Sequence, residues 1–364
     1  MEFHMSSLNF YELDLEKQKT LLEIRFPKRG KCIEETGGLC GQIFIFDQGI
    51  NVLPRFVCAK IAKPLRYEKK EETSKRFLQE LEAQLSFYQN MYVHWITDVD
   101  TAYDIPIAWF RYWDSDLLTV IKDNKSNITT KLSMLTYLCA GLEHCYSQGL
   151  VAHQDLKPAN IFIRNLSKSF RDLPNFNIYE IAMVADFGLA NAFQRLKLFD
   201  GAKPYKSPEQ WSEKQLTSKS DVFSLGVIFY ELLSGGYHPV GIKLYEHWPE
   251  PMRDNSKKWT RDDVWKKWIK QGALINHKNS DINDELGELI SKMLSIDVQV
   301  RPTIDQVLNS LLLEVEKLNQ DSYEQLIFQL DYFKSESCNT GLEKKWPYLN
   351  KKWENLKLKH SKTT

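Results

Sequence analysis

Three residues on one short loop have side chains that could carry out chemistry together. The stretch "VAHQDLKPANIFI" (151–163) holds Asp155, Lys157 and Asn160, and Pro158 prevents a helix from running through its middle. A carboxylate can accept the proton of an attacking hydroxyl, an ammonium can neutralise a moving phosphoryl group, and an amide oxygen can bind a metal ion. Such a loop raises the question of which reaction uses these three groups and whether the rest of the chain supplies the other parts.

A glycine cluster earlier in the chain could approach phosphates. The stretch "ETGGLCGQI" (35–43) places Gly37, Gly38 and Gly41 between two β-prone runs. Glycines make a flexible turn whose backbone N–H groups can lie close to phosphate oxygens. A plain glycine-rich hairpin turn is the alternative interpretation, because a glycine cluster alone is a weak indication of a phosphate site.

Lys60 lies in the apolar, strand-like run "VCAKIAK" (57–63). A lysine in such a run lies either at the edge of a sheet or with its ammonium directed at a negative group. Glu80 on the helix that follows could pair with Lys60, and Glu82 is the competing partner. Such a pair would hold the ammonium extended toward nucleotide phosphates.

Asp186 lies in "VADFGLA" (184–190), after a strand-like run and before a glycine. A carboxylate at the end of a strand can hold Mg²⁺, with water and phosphate oxygens completing the coordination. An ordinary aspartate turn is the alternative. The four stretches together supply a metal ligand, a cation for the phosphates and a carboxylate for the hydroxyl, which are the parts that phosphoryl transfer needs.

Hydrophobic periodicity predicts the elements that must position these residues. The first third of the chain is strand-rich with one amphipathic helix, and the chain after residue 114 is mainly helical. The predicted strands are 42–47, 55–62 and 104–113, and the predicted helices are 73–89, 129–149 and 220–236. Two later helices should begin at capping boxes, Thr260 with Asp263 and Thr303 with Gln306.

Composition and charge exclude several classes of protein. The 364 residues carry 48 Lys plus Arg and 48 Asp plus Glu, so no net charge favours nucleic acid or an anionic membrane as a partner. No apolar run of about 18 residues could span a membrane, and the first residues lack the apolar core of a signal peptide. The six cysteines form no Cys-x-x-Cys pair, which predicts free thiols in a reducing, cytoplasmic compartment.

With these parts in place, the chain resembles the eukaryotic-type protein kinases over about residues 30–318, because seven short motifs occur in the order of that family. Lys157 followed by Pro158 is similar to the serine/threonine class rather than the tyrosine class. In the family, the arginine at the position of Arg301 pairs with the glutamate at the position of Glu209. The motifs are "TGGLCGQI" (36–43), "VCAK" (57–60), "HQDLKPAN" (153–160), "DFG" (186–188), "KSPE" (206–209), "SDVFSLG" (220–226) and "RPT" (301–303).

The resemblance implies an α+β, bilobal fold. The N-lobe, a small antiparallel sheet with one main helix, would cover about residues 30–113, and the larger, mainly helical C-lobe about 114–318. An N-terminal extension at 1–29 and a helical, basic tail at 319–364 would flank them. Within the tail, "EKKWPYLNKKWENLKLKH" (343–360) is expected to be a solvated face, with contact to an acidic partner as the alternative.

The resemblance also implies ATP and Mg²⁺ as cofactors and a protein with a serine or threonine hydroxyl as substrate, and it leaves the oligomeric state open. Asp155 and Lys157 would be catalytic, and Asn160 and Asp186 would hold the metal. His153 would support the loop by hydrogen bonding. The residues implied for nucleotide binding are Gly37, Gly38, Gly41, Ile43, Lys60 and Glu80.

Three positions depart from the family pattern. Thr36 replaces the first glycine of the loop, and Ala202 stands where a threonine usually bridges to the catalytic aspartate. Gln154 replaces an arginine that in the family binds a phosphate on the activation segment, residues 186–209 here. A neutral glutamine makes no bidentate ionic pair with phosphate.

The activation segment has only two hydroxyls, on Tyr205 and Ser207, and both lie near its end. We therefore expect an enzyme that needs no phosphorylation there. A pseudokinase that acts as a nucleotide-binding scaffold is one alternative, and a kinase of small molecules is another.

Two stretches are longer than the family pattern requires. The segment 165–176 is expected to be an insertion between two strands, and 241–272 a second insertion after a buried helix. Trp265 and Trp268 in the second should pack a local helix onto the C-lobe, and a docking site for a partner is the alternative.

Overall fold

The computed structural model describes residues 10–37, 41–64, 68–87, 90–113, 115–170, 172–251, 257–277, 282–336, 344 and 346–361. The chain divides into two compact units. The first comprises Met1–Gln89, Trp95–Trp113 and Ser337–Thr364, and the second comprises Asn90–His94 and Asp114–Glu336. Each unit is described by itself below.

The first unit is built on an antiparallel sheet with the strand order β1-β2-β3-β5-β4. The sheet confirms the predicted small β-rich lobe. The sequence pattern does not predict β4, because its apolar residues Ile96, Val99 and Ala102 recur at every third position rather than at every second. The strands are β1 (Lys31–Gly37), β2 (Gly41–Asp47), β3 (Phe56–Ala62), β4 (Ile96–Ala102) and β5 (Ile105–Arg111).

One amphipathic helix, α2 (Lys70–Ser86), packs against this sheet. It begins at Lys70 rather than at 73, because the Glu72 side chain accepts a hydrogen bond from the Lys69 backbone N–H at 2.9 Å and caps the first turn. Phe77, Leu81 and Leu85 recur at four-residue steps, and all three are buried in a cluster with residues of β3, β4 and β5.

Segments on both sides of the predicted kinase domain also fold into the first unit. Before β1, helix α1 (Leu15–Arg25) is capped by Asp14, whose carboxylate accepts from the Lys17 N–H at 2.9 Å. Phe10, Leu22 and Phe26, which all precede β1, are buried in one cluster with residues of the sheet. The sheet residues include Phe44, Phe46 and Trp109.

A second flanking helix, α12 (Pro347–Ser361), also folds into the first unit. The expectation of a solvated basic face at 343–360 is wrong for its apolar residues, because Leu349, Trp353 and Leu356 are buried against α2 and β4. Periodic apolar residues among many lysines give a docked amphipathic helix, which the charge count conceals.

The second unit is mainly helical, as predicted, and α7 within it is buried along its length. A helix that is apolar all round must lie inside the protein. Its helices are α3 (Leu117–Asp123), α4 (Ile128–Ser147), α5 (Ala192–Leu196), α6 (Pro208–Trp211), α7 (Ser218–Leu233), α8 (Asp262–Lys270), α9 (Asp284–Met293), α10 (Ile304–Leu318) and α11 (Gln320–Glu336). Two short hairpins complete it, β6 (Ile161–Asn165) with β7 (Glu180–Val184), and β8 (Tyr237–His238) with β9 (Ile242–Lys243).

The two predicted capping boxes have different outcomes. Thr303 and Gln306 form the box at the start of α10, with N–H to side-chain distances of 2.9 and 3.3 Å. The box at Thr260 is wrong, because α8 begins at Asp262 and the Thr260 hydroxyl donates to the carbonyl of Lys257 at 2.7 Å. A short 3-10 turn at Lys257–Thr260 competes for the hydroxyl that the pattern assigned to the helix.

The insertion around α8 packs as expected. Trp265 is completely buried and Trp268 is 3% exposed. Their rings lie 5.2 and 4.9 Å from the ring of His238, and Trp268 also lies 6.0 Å from Phe223 of α7. The prediction that these tryptophans pack a local helix onto the lobe is confirmed.

Within the described ranges, no helix is both long enough and apolar enough to cross a lipid bilayer.

Candidate active site

A buried carboxylate on α7, that of Asp221, fixes the loop that carries Asp155. Asp221 accepts hydrogen bonds from the backbone N–H of His153 at 2.7 Å, from the N–H of Gln154 at 3.2 Å and from the Tyr146 hydroxyl at 2.9 Å. Burial raises the pKa of Asp221, and the nearby His153 ring and these donors oppose the rise. Asp221 was not among the predicted site residues, although an acidic residue near the start of a mostly apolar helix is a signal for such a role.

His153 supports the same loop, as predicted. Its Nε2 lies 3.1 Å from the carbonyl oxygen of Ala185, and its ring lies 5.0 Å from that of Phe187. The imidazole is completely buried. It therefore ties the loop to the segment that begins with Asp186, and it acts as a support rather than as a group exposed to a substrate.

Asp155 lies at the centre of the side chains that the sequence singled out on this loop. Its Oδ2 is 2.8 Å from Lys157 Nζ and accepts from Asn160 Nδ2 at 3.1 Å. Its Oδ1 accepts from the backbone N–H of Ala202 at 2.9 Å. The loss of a threonine at 202 therefore does not leave Asp155 without a contact to the activation segment, because the main chain supplies the donor.

Asn160 and Asp186 are brought to the same end of one hairpin. Ile161 pairs with Val184, and the backbone N–H of Ala185 donates to the carbonyl of Asn160 at 3.0 Å. Asp186, the next residue, is exposed and has a φ of 59°, which is uncommon for a residue other than glycine. A turn of this kind directs the chain away from the strand at the position where a metal ligand is expected.

These two side chains fit a magnesium ion chemically. The Asn160 amide nitrogen donates to Asp155, both to its carboxylate and to its carbonyl at 2.9 Å, so the amide oxygen is the group oriented for a cation. Asp186 adds an exposed carboxylate. Mg²⁺ takes oxygen ligands and keeps several waters, so one or two protein groups suffice when phosphates are present.

In the first unit, Lys60 pairs with Glu80 rather than with Glu82. Lys60 Nζ lies 2.6 Å from Glu80 Oε1, and the two side chains are 13% and 5% exposed. Glu82 lies on another side of α2, where its carboxylate is 4.0 Å from Lys357. A poorly solvated ion pair of this kind holds the lysine extended from β3.

The glycines around Lys60 allow close approach of the backbone. A Cβ at Gly41 would lie 3.1 Å from Lys60 Cε, and a Cβ at Gly37 would lie 2.5 Å from the carbonyl oxygen of Gly41. Ile43 is the strand partner of Lys60 across β2 and β3. Gly38, also expected in this loop, lies outside the described residues.

The activation segment is held by two buried glutamines. Gln154 accepts from the N–H of Phe193 at 2.9 Å and donates to the carbonyl of Leu198 at 3.0 Å. Gln210 donates to the carbonyls of Gln154 and Asp200 at 2.8 and 3.0 Å. The side-chain amides therefore join the catalytic loop to the segment between 193 and 200 without any ionic group.

Both hydroxyls of the segment are enclosed. Tyr205 is 6% exposed, and its hydroxyl donates to Glu231 Oε2 on α7 at 2.8 Å. Burial raises the pKa of Glu231 to about 8. Ser207 is completely buried, and its Oγ accepts from the N–H of Gln210 at the start of α6.

The end of the segment is fixed by a buried ion pair. Arg301 donates to both carboxylate oxygens of Glu209, at 2.7 and 3.1 Å, and its side chain is completely buried. The predicted pairing of these residues is confirmed. A bidentate guanidinium–carboxylate contact fixes both position and orientation.

The family model described as "Protein kinase domain" matches residues 52–313. The chain is 27% identical over 231 residues to serine/threonine-protein kinase A of Synechocystis sp., covering 57% of this chain and 40% of that protein. It is 29% identical over 219 residues to a calcium and calcium/calmodulin-dependent serine/threonine-protein kinase of Pisum sativum, covering 59% and 36%.

A human relative has the same level of similarity. The chain is 27% identical over 192 residues to the serine/threonine-protein kinase Nek2 of Homo sapiens, covering 50% of this chain and 36% of that protein. The matched region thus spans 40% or less of the length of these three relatives.

Proposed function

Because this chain belongs to the protein kinase family, we propose that it transfers the γ-phosphoryl group of ATP to serine or threonine hydroxyls of a protein substrate. The observation that carries the proposal is the arrangement around Asp155, whose carboxylate contacts Lys157, Asn160 and the Ala202 N–H within 3.1 Å. The relatives, which are named as serine/threonine-protein kinases, support this substrate class.

Asp155 accepts the proton of the attacking hydroxyl. As that proton leaves, the hydroxyl oxygen forms a bond to the γ-phosphorus, and the bond between this phosphorus and the bridging oxygen of ADP breaks. Lys157, whose ammonium lies 2.8 Å from the Asp155 carboxylate, neutralises charge on the transferred group. The contacts from Asn160 and Ala202 hold the carboxylate in one orientation, so little reorganisation is needed during the reaction.

The nucleotide is held by a separate set of groups. Lys60, oriented by Glu80, contacts the phosphates, and Gly37, Gly38, Gly41 and Ile43 border them. Asn160 and Asp186 would hold Mg²⁺, which would neutralise phosphate charge when bound. The 2.6 Å ion pair and the close backbone approach at Gly41 support this assignment.

We also propose that the enzyme needs no phosphate on its activation segment. Two observations support this. Gln154 and Gln210 hold the segment through neutral hydrogen bonds. The hydroxyls of Tyr205 and Ser207 are enclosed, so a kinase would have to open the segment to reach them. A cytoplasmic location is proposed on the ground that the described cysteines, Cys32, Cys58, Cys139 and Cys145, are free thiols.

The test is transfer of labelled phosphate from ATP to a generic basic protein by the purified chain, with Asp155→Asn as the matched variant. We expect Asp155→Asn to lower turnover by about three orders of magnitude, because the proton acceptor is lost, while ATP affinity changes little. Wild-type protein that binds ATP but transfers no phosphate would favour a nucleotide-binding scaffold. Unchanged turnover in Asp155→Asn would reject the role of Asp155.

Phosphatase treatment tests the second part of the proposal. We expect full activity after treatment, because the hydrogen bonds that hold the segment involve no phosphate. Loss of activity would contradict it.

A further inference from the structure

Helix α12 lies beyond the range that matches the family and packs against the main helix of the first unit. Its Leu349, Trp353 and Leu356 are only 4%, 4% and 5% exposed. They follow one another at steps of four and three residues, so they lie on one face of the helix. The cluster that they enter contains α2, β3 and β4 residues, including Phe77, Leu81, Leu85, Cys58, Ile96 and Val99.

Charged contacts fix the position of α12 along the sheet edge. Lys352 Nζ lies 2.7 Å from Asp98 and 2.9 Å from Asp100, both on β4. Lys359 lies 3.2 Å from Asp104, in the turn that follows β4. One lysine of α12 thus contacts two acidic residues of the edge strand β4. This contact fixes the position of the helix along the strand.

The cluster that α12 packs against also contains the neighbours of Glu80, the residue that orients Lys60. Glu80 lies on α2 next to Leu81 and one turn from Phe77, and both of these apolar residues are completely buried in the cluster that α12 closes. A rotation or shift of α2 that separated Glu80 from Lys60 would have to open this packing. The position of Glu80 therefore depends on what covers the other side of α2.

We propose that α12 is an intramolecular positioning element that fixes α2 so that Glu80 meets Lys60, which makes nucleotide binding depend on residues 347–361. Trp353 is its central positioning residue. The inference rests on the proposed role of Lys60 and Glu80 at the nucleotide phosphates. The acidic groups that contact this basic stretch are Asp98, Asp100 and Asp104 of the same chain, whereas a separate acidic partner was the alternative that the sequence left open.

A double-mutant cycle in the full chain tests the coupling. The variants are Trp353→Ala, Glu80→Gln and the two combined, and the measurement is the affinity for ATP with Mg²⁺ by calorimetry. We expect each single change to weaken binding about tenfold and the double variant to be within about twofold of Glu80→Gln alone, because both act through the same contact. Asn355→Ala, on the exposed face of α12, is the control and should leave the affinity unchanged.

A helix that only stabilises the fold would give another pattern. The two effects would then multiply, or a folded Trp353→Ala protein would bind ATP normally, and either result would overturn the proposal. If thermal melting shows that Trp353→Ala does not fold, the cycle is repeated with Leu356→Ala, which removes less buried surface. Failure of both variants to fold would assign α12 a structural role and would also overturn it.

The experiment separates this inference from the proposed function. Phosphate transfer by the wild-type chain is measured independently of ATP affinity. Coupled ATP affinities without transfer would reject the catalytic proposal and keep the positioning role of α12. Phosphate transfer together with uncoupled ATP affinities would support the catalytic proposal and overturn the positioning role of α12.

Discussion

Gln154 holds the activation segment at a position where the resemblance to the family implies an arginine. Its side chain is buried and joins the N–H of Phe193 to the carbonyl of Leu198. A buried amide forms such a bridge with no counter-charge, whereas an arginine without a phosphate partner would leave a buried charge unpaired. At the residue scale, the neutral amide of Gln154 therefore supports the proposal that the segment needs no phosphate.

Replacing Gln154 by Ala should lower both turnover and stability. The change leaves the Phe193 N–H and the Leu198 carbonyl without this partner, at a cost of about 1–3 kcal/mol for each buried group. We expect kcat to fall about tenfold with the KM for ATP unchanged, because the segment and not the nucleotide contacts is affected. The measurement is steady-state kinetics with thermal melting.

Gln148→Ala is the matched control, because that side chain makes an exposed hydrogen bond to Ser147. It should leave both quantities unchanged. Equal turnover in Gln154→Ala and wild type would show that the segment is held by other contacts.

Glu231, which accepts a hydrogen bond from Tyr205 of the activation segment, makes the stability of the protein depend on pH. Its pKa is raised by burial from 4.5 to about 8. A carboxyl whose pKa is higher in the folded state contributes stability that is present at low pH and is lost as the pH rises toward 8. The free energy of unfolding should therefore fall by about 1.4 kcal/mol per pH unit between these two pKa values from this group alone.

The variant Glu231→Gln should remove this dependence while it keeps an acceptor for the Tyr205 hydroxyl. The window from pH 6.5 to 8 is suitable because buried His238, with a pKa lowered from 6.5 to about 3, changes the free energy mainly below pH 6.5 and does so equally in both proteins. Urea unfolding at pH 6.5 and pH 8 should show a flatter profile for the variant. Parallel profiles for the two proteins would exclude Glu231 as the titrating group.

At the scale of elements, the pair of Arg301 and Glu209 joins the start of α6 to the loop before α10. Arg301 also donates to the carbonyls of Ser295 and Lys219, so one guanidinium connects three separate segments. Such a buried, fully bonded pair fixes geometry, and the removal of one member leaves an uncompensated charge.

Arg301→Met should destabilise the protein by about 3–5 kcal/mol, because it leaves the Glu209 carboxylate buried and unpaired. Arg261→Met is the matched control, since Arg261 and Asp263 form an ion pair that is 62% and 68% exposed. The control should change stability by about 0–1 kcal/mol. Chemical denaturation of both variants measures the difference, and equal losses would contradict the assigned importance of burial.

At the scale of the whole molecule, sequence patterns predict the elements with strong periodicity and the loops with distinctive chemistry. Helix α7 and the loop at 151–163 were both expected, because a mostly apolar run and a fixed order of polar residues are local properties. Strand β4 and the docked helix α12 were not expected. Their apolar residues are few and spaced among charges, so only their distant partners reveal which face is buried.

The same limit applied to the candidate site. The identities of Asp155, Lys157 and Asn160 were predicted together, since they share one loop. The choice of Glu80 over Glu82, the support from Asp221 and the main-chain donor at Ala202 depend on contacts between segments far apart in the chain. The spacing of Phe77, Leu81 and Leu85 places Glu80 nearer than Glu82 to the buried face of α2, but it does not show which strand that face meets.

Asp98 connects the segments on the two sides of the family-matched range. Its carboxylate lies 2.7 Å from Arg29, which precedes β1, and 2.7 Å from Lys352 of α12. Arg29 in turn lies 4.5 Å from the ring centre of Trp109, in the sheet. One acidic side chain on β4 thus holds both ends of the described chain to the same sheet.

Asp98→Asn should loosen both ends at once, because a neutral amide keeps the shape but loses the charge that two cations share. We expect faster hydrogen exchange in α1 and α12 together and a lower melting temperature, with exchange in α7 unchanged. Asp123→Asn is the control, since Asp123 lies 4.0 Å from Lys125 in an exposed pair. Faster exchange in only one of the two helices would show that they dock independently, and the effect of Asp98 would then be local.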